Sequence, residues 1–137
     1  MSLNPYLYFN GQCGEAFKFY EKCLGGKITC MMTWEGSPMA GLAPPGWAKK
    51  LLHAGLALRD GVLEGCDATP GQFKTLQGFC VMLKPKDAEE AERIFHTLAE
   101  DGTVQISIGE TFWALRFGKV VDQFGIPWLI NCEKPAA

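Results

Sequence analysis

The sequence is short of the residues on which metal and nucleophilic chemistry is usually built. Only two histidines, His53 and His96, occur in 137 residues. None of the six cysteines (Cys13, Cys23, Cys30, Cys66, Cys80 and Cys132) forms a C-x-x-C pair. In a chain of this size an even cysteine count alone does not make a disulfide framework. The cysteines sit mostly in apolar-patterned segments and read as reduced, largely buried thiols of a cytoplasmic protein. Basic clusters are missing too. Only Lys49 and Lys50 are adjacent, and the net charge of -2 with a pI near 5.7 argues against a nucleic-acid partner. No apolar run approaches the roughly 20 residues of a membrane span. The opening "MSLNPYLYFNG" lacks the basic segment and apolar core of a secretory signal.

What is present reads as one pattern written twice. "NPYLYFNG" is a strand, and "EAFKFYEKCLGG" is a helix with Ala16, Phe19, Tyr20 and Cys23 on one stripe. Gly25-Gly26 ends that helix, and "KITCMMTW" is the next strand. "GFCVML" then starts the pattern again. In "DAEEAERIFHTLAEDG" the stripe is Ala88, Ala91, Ile94, Phe95 and Leu98, with Asp87 as N-cap and Glu90 completing a capping box. Gly102 ends this helix and "TVQISI" follows. Laid together, the halves match Gly26 to Gly102 with one inserted residue. Two further strands close each half. The first pair splits at Asp60-Gly61, and the second turns near Asp122 to Gly125. Each half reads β-α-β-β-β: module 1 over about 3–67, a linker over about 68–77, and module 2 over about 78–133. The Pro/Gly-rich loop from Gly36 to Lys50 fits no period, and its length suits a lid or a partner contact.

The paired grammar, with "NPYLYFNG..C.EAFKFYEKCLGG" in front, "LHAGLAL..G..L.G.D" in the middle and "ETFWA.RFG...D.FGIPW..N" at the end, resembles the PhnB-like branch of the vicinal oxygen chelate superfamily. That superfamily includes glyoxalase I and the bleomycin-resistance proteins. The resemblance covers nearly the whole chain. It implies an α+β fold of two βαβββ modules forming a curved, eight-stranded mixed-sheet cup with helices outside, a small-molecule ligand, and a homodimer. It also implies four His/Glu metal ligands. At those positions stand Pro5, Phe79 or Cys80, and Leu129, leaving only Glu64. Pro, Phe and Leu offer no donor atom, so no metal cofactor is expected. A divalent ion would need a rearranged site of His53, Glu64 and Glu110. The branch often carries a demethylubiquinone methyltransferase label, yet no G-x-G occurs for a nucleotide-type methyl donor.

Alternation puts His53, Gly55, Ala57 and Arg59 on the face of their strand opposite Leu52, Ala54, Leu56 and Leu58. His53 is either a hydrogen-bonded strand-edge histidine or the base or donor of a ligand site. Glu110 is expected to face with Phe112, Ala114 and Arg116, and to correspond to His53 across the repeat. It either pairs with an arginine or lines a wet cavity. The expected ligand cavity is His53, Ala57, Arg59, Glu64, Glu110, Arg116 and Trp113, with His53 and Glu110 as candidate catalytic residues. His96 lies off its helix stripe and is expected in solvent. Two functional classes follow: a binding or sequestration protein, or an acid–base or metal-dependent enzyme.

Overall fold

A computed structural model describes residues 1–135. It divides into two compact units, Met1–Lys74 and Thr75–Ala137. The first runs β1 (Tyr6–Phe9), α1 (Cys13–Leu24), β2 (Lys27–Thr33), β3 (Leu51–Leu58) and β4 (Gly61–Asp67). The second runs β5 (Val81–Leu83), α2 (Ala88–Leu98), β6 (Thr103–Gly109), β7 (Ala114–Val121) and β8 (Pro127–Glu133). Each unit holds a four-stranded mixed sheet, in the order β1-β4-β3-β2 and β5-β8-β7-β6. β1 runs parallel to β4, β5 parallel to β8, and the other neighbours are antiparallel. The class is α+β, two βαβββ modules. Among the described residues no helix is long and apolar enough to cross a membrane.

In the first unit α1 buries Cys13, Ala16, Phe17, Tyr20 and Cys23. Phe17 takes the core place expected of Phe19, which is only half buried. The rings of Phe9, Phe17 and Tyr20 lie 6.0–6.4 Å apart, in tilted or edge-on contacts. Each such burial contributes about 1.5–3 kcal/mol. Facing them from β3 are Ala54 and Leu56, both fully buried. The β3–β4 turn is Arg59-Asp60, because Leu58 pairs with Gly61, one residue earlier than the Asp-Gly signal implies. In the second unit α2 buries Ala91, Ile94, Phe95 and Leu98. Asp87 Oδ1 accepts the Glu90 N–H at 2.8 Å, and Glu90 Oε2 reaches back to the Lys86 N–H at 2.9 Å. The capping box therefore closes one residue further out than expected.

The end of α2 differs from that of α1. Gly25 adopts φ +75° after α1, whereas after α2 the left-handed residue is Asp101, at φ +54°. Gly102 follows it, one residue before β6.

Candidate functional site

The first module's sheet presents α1 with Leu7, Phe9, Ala54, Leu56 and Leu63, all buried. Alternation turns Tyr6, Tyr8, His53, Glu64 and Cys66 to the opposite face. β1–β4 pairing sets Tyr6 against Glu64 and Tyr8 against Cys66, and β3–β4 pairing sets Gly55 against Glu64. Residues far apart in sequence thus form one row. Tyr6 Oη lies 3.2 Å from His53 Nδ1, and the two rings stack at 5.7 Å. On the other side, His53 Nε2 lies 3.6 Å from Glu64 Oε1. That is beyond a hydrogen bond, so Glu64 acts on the ring through its charge. Nδ1 thus faces the phenol and Nε2 the carboxylate. The His53 and Glu64 side chains are about one-third exposed, so both stay wet.

Two neighbours are held in their protonated forms. Burial raises the Tyr6 phenol above its usual value, and a hydrogen bond to Cys66 adds to the rise. Burial also pushes the Cys66 thiol up; the Tyr6 hydrogen bond works against it and the Asp67 charge with it. A thiol raised in this way is a poor nucleophile at neutral pH. The row therefore offers a phenol, an imidazole, a carboxylate and a thiol for hydrogen bonding rather than an activated sulfur.

Beside the row opens a cavity of about 420 Å³, walled in part by Tyr8, Trp34, Leu52, Cys66, Thr69 and Gln72. Trp34 stands where β2 leads into the loop expected to act as a lid. The loop is tied by Trp34 N–H to Lys50 O (3.1 Å) and Glu35 N–H to Ala48 O (2.9 Å). The indole Nε1 atoms of Trp34 and Trp47 are sealed from solvent with no hydrogen-bond partner, at a cost of about 1–3 kcal/mol each.

The remaining expected cavity residues fall elsewhere. Ala57 shares the His53 face, paired with Lys27 and Val62. Arg59 sits in the exposed hairpin turn. Glu110 is not on a strand at all. β6 ends at Gly109 and β7 begins at Ala114. Between them Thr111 closes a turn, its N–H donating to Ala114 O and its Oγ1 accepting the Ala114 N–H, both at 3.0 Å. Glu110 is 62% exposed and pairs with Lys134 at 3.2 Å. Trp113, part-exposed just before β7, stacks edge-on with Phe112 and Phe117.

Arg116 points to the helix. Its Nε donates to Glu92 Oε1 of α2 at 2.8 Å, and Nη1 donates to Leu115 O. It shares a face with Gly118, whose Cα packs by Phe95, so the expectation that it lines a cavity is corrected. The correspondence of Glu110 with His53 is corrected as well. Lys27, after Gly26, pairs with Ala57, and Thr103, after Gly102, pairs with Val121, so Ala57 and Val121 are equivalent. Counted back along β3 and β7 from that pair, His53 matches Phe117, not Glu110. His96 is exposed as expected, and pairs with Glu92 at 3.0 Å.

The Arg116–Glu92 pair makes a pH prediction. The Arg116 hydrogen bond, helped by His96, holds the Glu92 carboxyl below its usual range. A depressed folded pKa stabilises above the unfolded value of roughly 4.3 and is lost as pH falls through the folded value. Arg116→Ala is therefore expected to be less stable than the parent at pH 7. The gap should close in acid below pH 4.3, read by urea unfolding across pH.

Among the described residues, no three His, Cys, Asp or Glu side chains converge as a metal-ligand group. The sequence does not single out Tyr6, and it offers Trp34, flanking the irregular loop, as a lid or dimer contact rather than a cavity wall. The signal for Tyr6 was the Tyr-Leu-Tyr-Phe alternation, which puts both phenols on one face. Nothing in the sequence says that this strand lies beside Glu64.

Comparison with known proteins covers the whole fold. A family model described as 3-demethylubiquinone-9 3-methyltransferase matches residues 1–131. Protein YjdN of Escherichia coli (strain K12) is 33% identical over 144 residues, spanning 98% of this chain and 97% of its own. The crystal structure of protein PA1353 from Pseudomonas aeruginosa is 39% identical, with a TM-score of 0.90 over 98% of this chain and 99% of that one. A PhnB protein from Bacillus cereus, 22% identical, shares the fold at a TM-score of 0.81 over 96% of this chain and 99% of that one. With the βαβββ repeat in both units, these similarities establish that the chain belongs to the PhnB-like branch of the vicinal oxygen chelate superfamily.

Proposed function

We propose that this chain binds a small molecule on the open sheet face of its first module, with His53 as the polar centre. The observation that carries the reading is the Tyr6–His53–Glu64 row beside a cavity of about 420 Å³. Ligand pockets combine apolar walls with a few fixed polar groups, and this site has both. Tyr6 and Glu64 orient the imidazole, so it meets a ligand at little entropic cost. In this reading the protein acts as a homodimer in the cytoplasm. Exposed Phe112, Val104, Ile106 and Met82 supply apolar surface for a second copy, and light scattering of the purified protein tests the dimer.

A second reading is acid–base catalysis, favoured by the carboxylate facing Nε2 of His53. Glu64 takes the role first given to Glu110, whose side chain is committed to Lys134. A methyl transfer is not proposed. Both sheets are mixed rather than doubly wound, and the β1–α1 connection lacks a G-x-G turn.

The test is a thermal-shift screen of divalent metals and small metabolites on the parent, His53→Ala, Glu64→Gln and Glu110→Ala. Hits are expected to vanish or weaken at least about tenfold in His53→Ala, as loss of a hydrogen bond to the ligand implies. They should persist in Glu110→Ala. Hits unchanged in His53→Ala overturn the site. Turnover of a hit that stops in Glu64→Gln favours the enzyme reading.

A further inference from the structure

The wall of the cavity beside His53 says which charge its ligand can carry. Tyr8 and Trp34 give it aromatic surface and Leu52 an aliphatic one, while Thr69 and Gln72 supply neutral donors and acceptors. Asp67 is the one charged residue of the lining, and it is 4% exposed. Its two oxygens each accept a backbone N–H at 2.8 Å, from Cys13 and Leu51. The carboxylate is thus already satisfied by amides and placed at the N-terminus of α1, where the helix dipole favours negative charge. It repels an anionic ligand; a cationic one is attracted by its charge but must shed its own hydration and finds no free acceptor on the carboxylate.

Among the described residues no lysine or arginine lines the cavity. Lys50, next in sequence to Leu51, lies outside the lining, its Nζ on the Gly11 carbonyl at 2.9 Å and over the Trp47 ring at 6.0 Å. The nearest ionisable row adds Glu64, a second negative group, and His53 between it and Tyr6. An anion entering here would lose its hydration and meet the Asp67 carboxylate, with no positive side chain in the cavity wall in return. A flat, uncharged molecule faces neither cost. It would stack on Tyr8 and Trp34 and hydrogen-bond to the hydroxyl and amide groups.

We infer that the cavity is a subsite for an uncharged aromatic ligand bearing hydroxyl or carbonyl groups, and that it discriminates against anions. This rests on the reading that the His53 face binds a small molecule, and deepens it.

The test uses one ring system in three charge states: 2-naphthol, 2-naphthoate and 2-naphthylmethylammonium, titrated calorimetrically at pH 7.5 into the parent protein. Naphthol is expected to bind, with naphthoate at least about tenfold weaker and the ammonium no tighter than naphthol. Tyr8→Ala, at an exposed position, should weaken naphthol. Gln72→Lys, also exposed, places a cation on the rim and should move the naphthoate-to-naphthol affinity ratio toward naphthoate by about tenfold. Naphthoate binding as tightly as naphthol overturns the charge argument. So does a Gln72→Lys ratio that does not move. If none of the three binds while the screening hits still depend on His53, the subsite falls and the His53 site stands. If naphthol binding responds to Tyr8→Ala while no hit depends on His53, the subsite stands and the His53 reading falls.

Discussion

Asp67→Ala is expected to lose about 3–5 kcal/mol of folding stability, among the largest effects of any single polar truncation in this chain. The side chain ends β4 and is 4% exposed. Oδ1 accepts the N–H of Cys13, the first residue of α1, and Oδ2 that of Leu51, the first residue of β3. One carboxylate thereby ties a helix start and a strand start to the end of a third element. Alanine leaves two buried amide donors unpaired, each costing about 1–3 kcal/mol, and removes a negative charge from a helix N-terminus. In a chain of this size the melting temperature should fall by about 10 °C or more. Asp67→Asn keeps the volume but turns an NH₂ toward one of the two N–H groups, so it should recover half of the loss at most. Glu110→Ala is the control. That carboxylate is 62% exposed, and its removal should stay within about 0.5 kcal/mol. Urea unfolding of the three variants decides the matter. A loss below about 1 kcal/mol in Asp67→Ala would mean that water enters and pairs the two amides.

The contrast between these carboxylates shows where a sequence stops being informative. Periodicity found both helices and the order of elements along the chain, because the apolar stripes at three- and four-residue steps and the alternation in "HAGLAL" are local signals. It also placed His53 and Glu64 on the faces they occupy. It failed where a local hydrogen bond breaks the alternation. "GETFWALRF" reads as one strand from Glu110 onward, but the turn closed by Thr111 Oγ1 delays β7 to Ala114. Inside β7, Arg116 turns to α2, with an irregularity in register between Ala114 and Arg116. Carrying the parity back through the turn to Glu110 assigned that face to the cavity, when it packs on α2. The site itself needed pairing information. Tyr6 meets Glu64 because β1 lies parallel beside β4, and His53 meets both because β3 lies on β4's other side. No local pattern encodes a contact between residues that distant in the chain. Asp67 was likewise invisible as a tie, since its partners are backbone amides that any sequence would offer.

The glycines after the two helices yield the second large expectation, and they reverse the simplest account of why they are there. Gly25, at φ +75°, is the residue whose conformation demands glycine, yet a Cβ on it would meet nothing within 4 Å. Gly26 has an ordinary φ, but its Cβ would stand 2.5 Å from the Ala57 carbonyl oxygen and 2.6 Å from Leu58 Cδ2. Gly102 repeats this arrangement, its Cβ falling 2.5 Å from the Val121 oxygen and 3.2 Å from Leu98 O. Each of these glycines stands one residue before an edge strand. The residue after it pairs with the strand residue whose carbonyl it crowds: Lys27 with Ala57, and Thr103 with Val121. An added methyl therefore collides with backbone that is itself fixed in a sheet, and relief requires opening β2 from β3 or β6 from β7. Gly26→Ala and Gly102→Ala should each cost about 3 kcal/mol, the upper range of overpacking. Gly25→Ala should cost only about 1 kcal/mol, for one left-handed residue. Denaturant unfolding of the three variants checks the order, and Gly25→Ala proving the most damaging would overturn the argument. The match of Gly26 with Gly102 across the halves thus marks a shared steric demand at the entry to each edge strand. At the helix ends the two modules part company, since Asp101 takes in the second the left-handed place that Gly25 holds in the first.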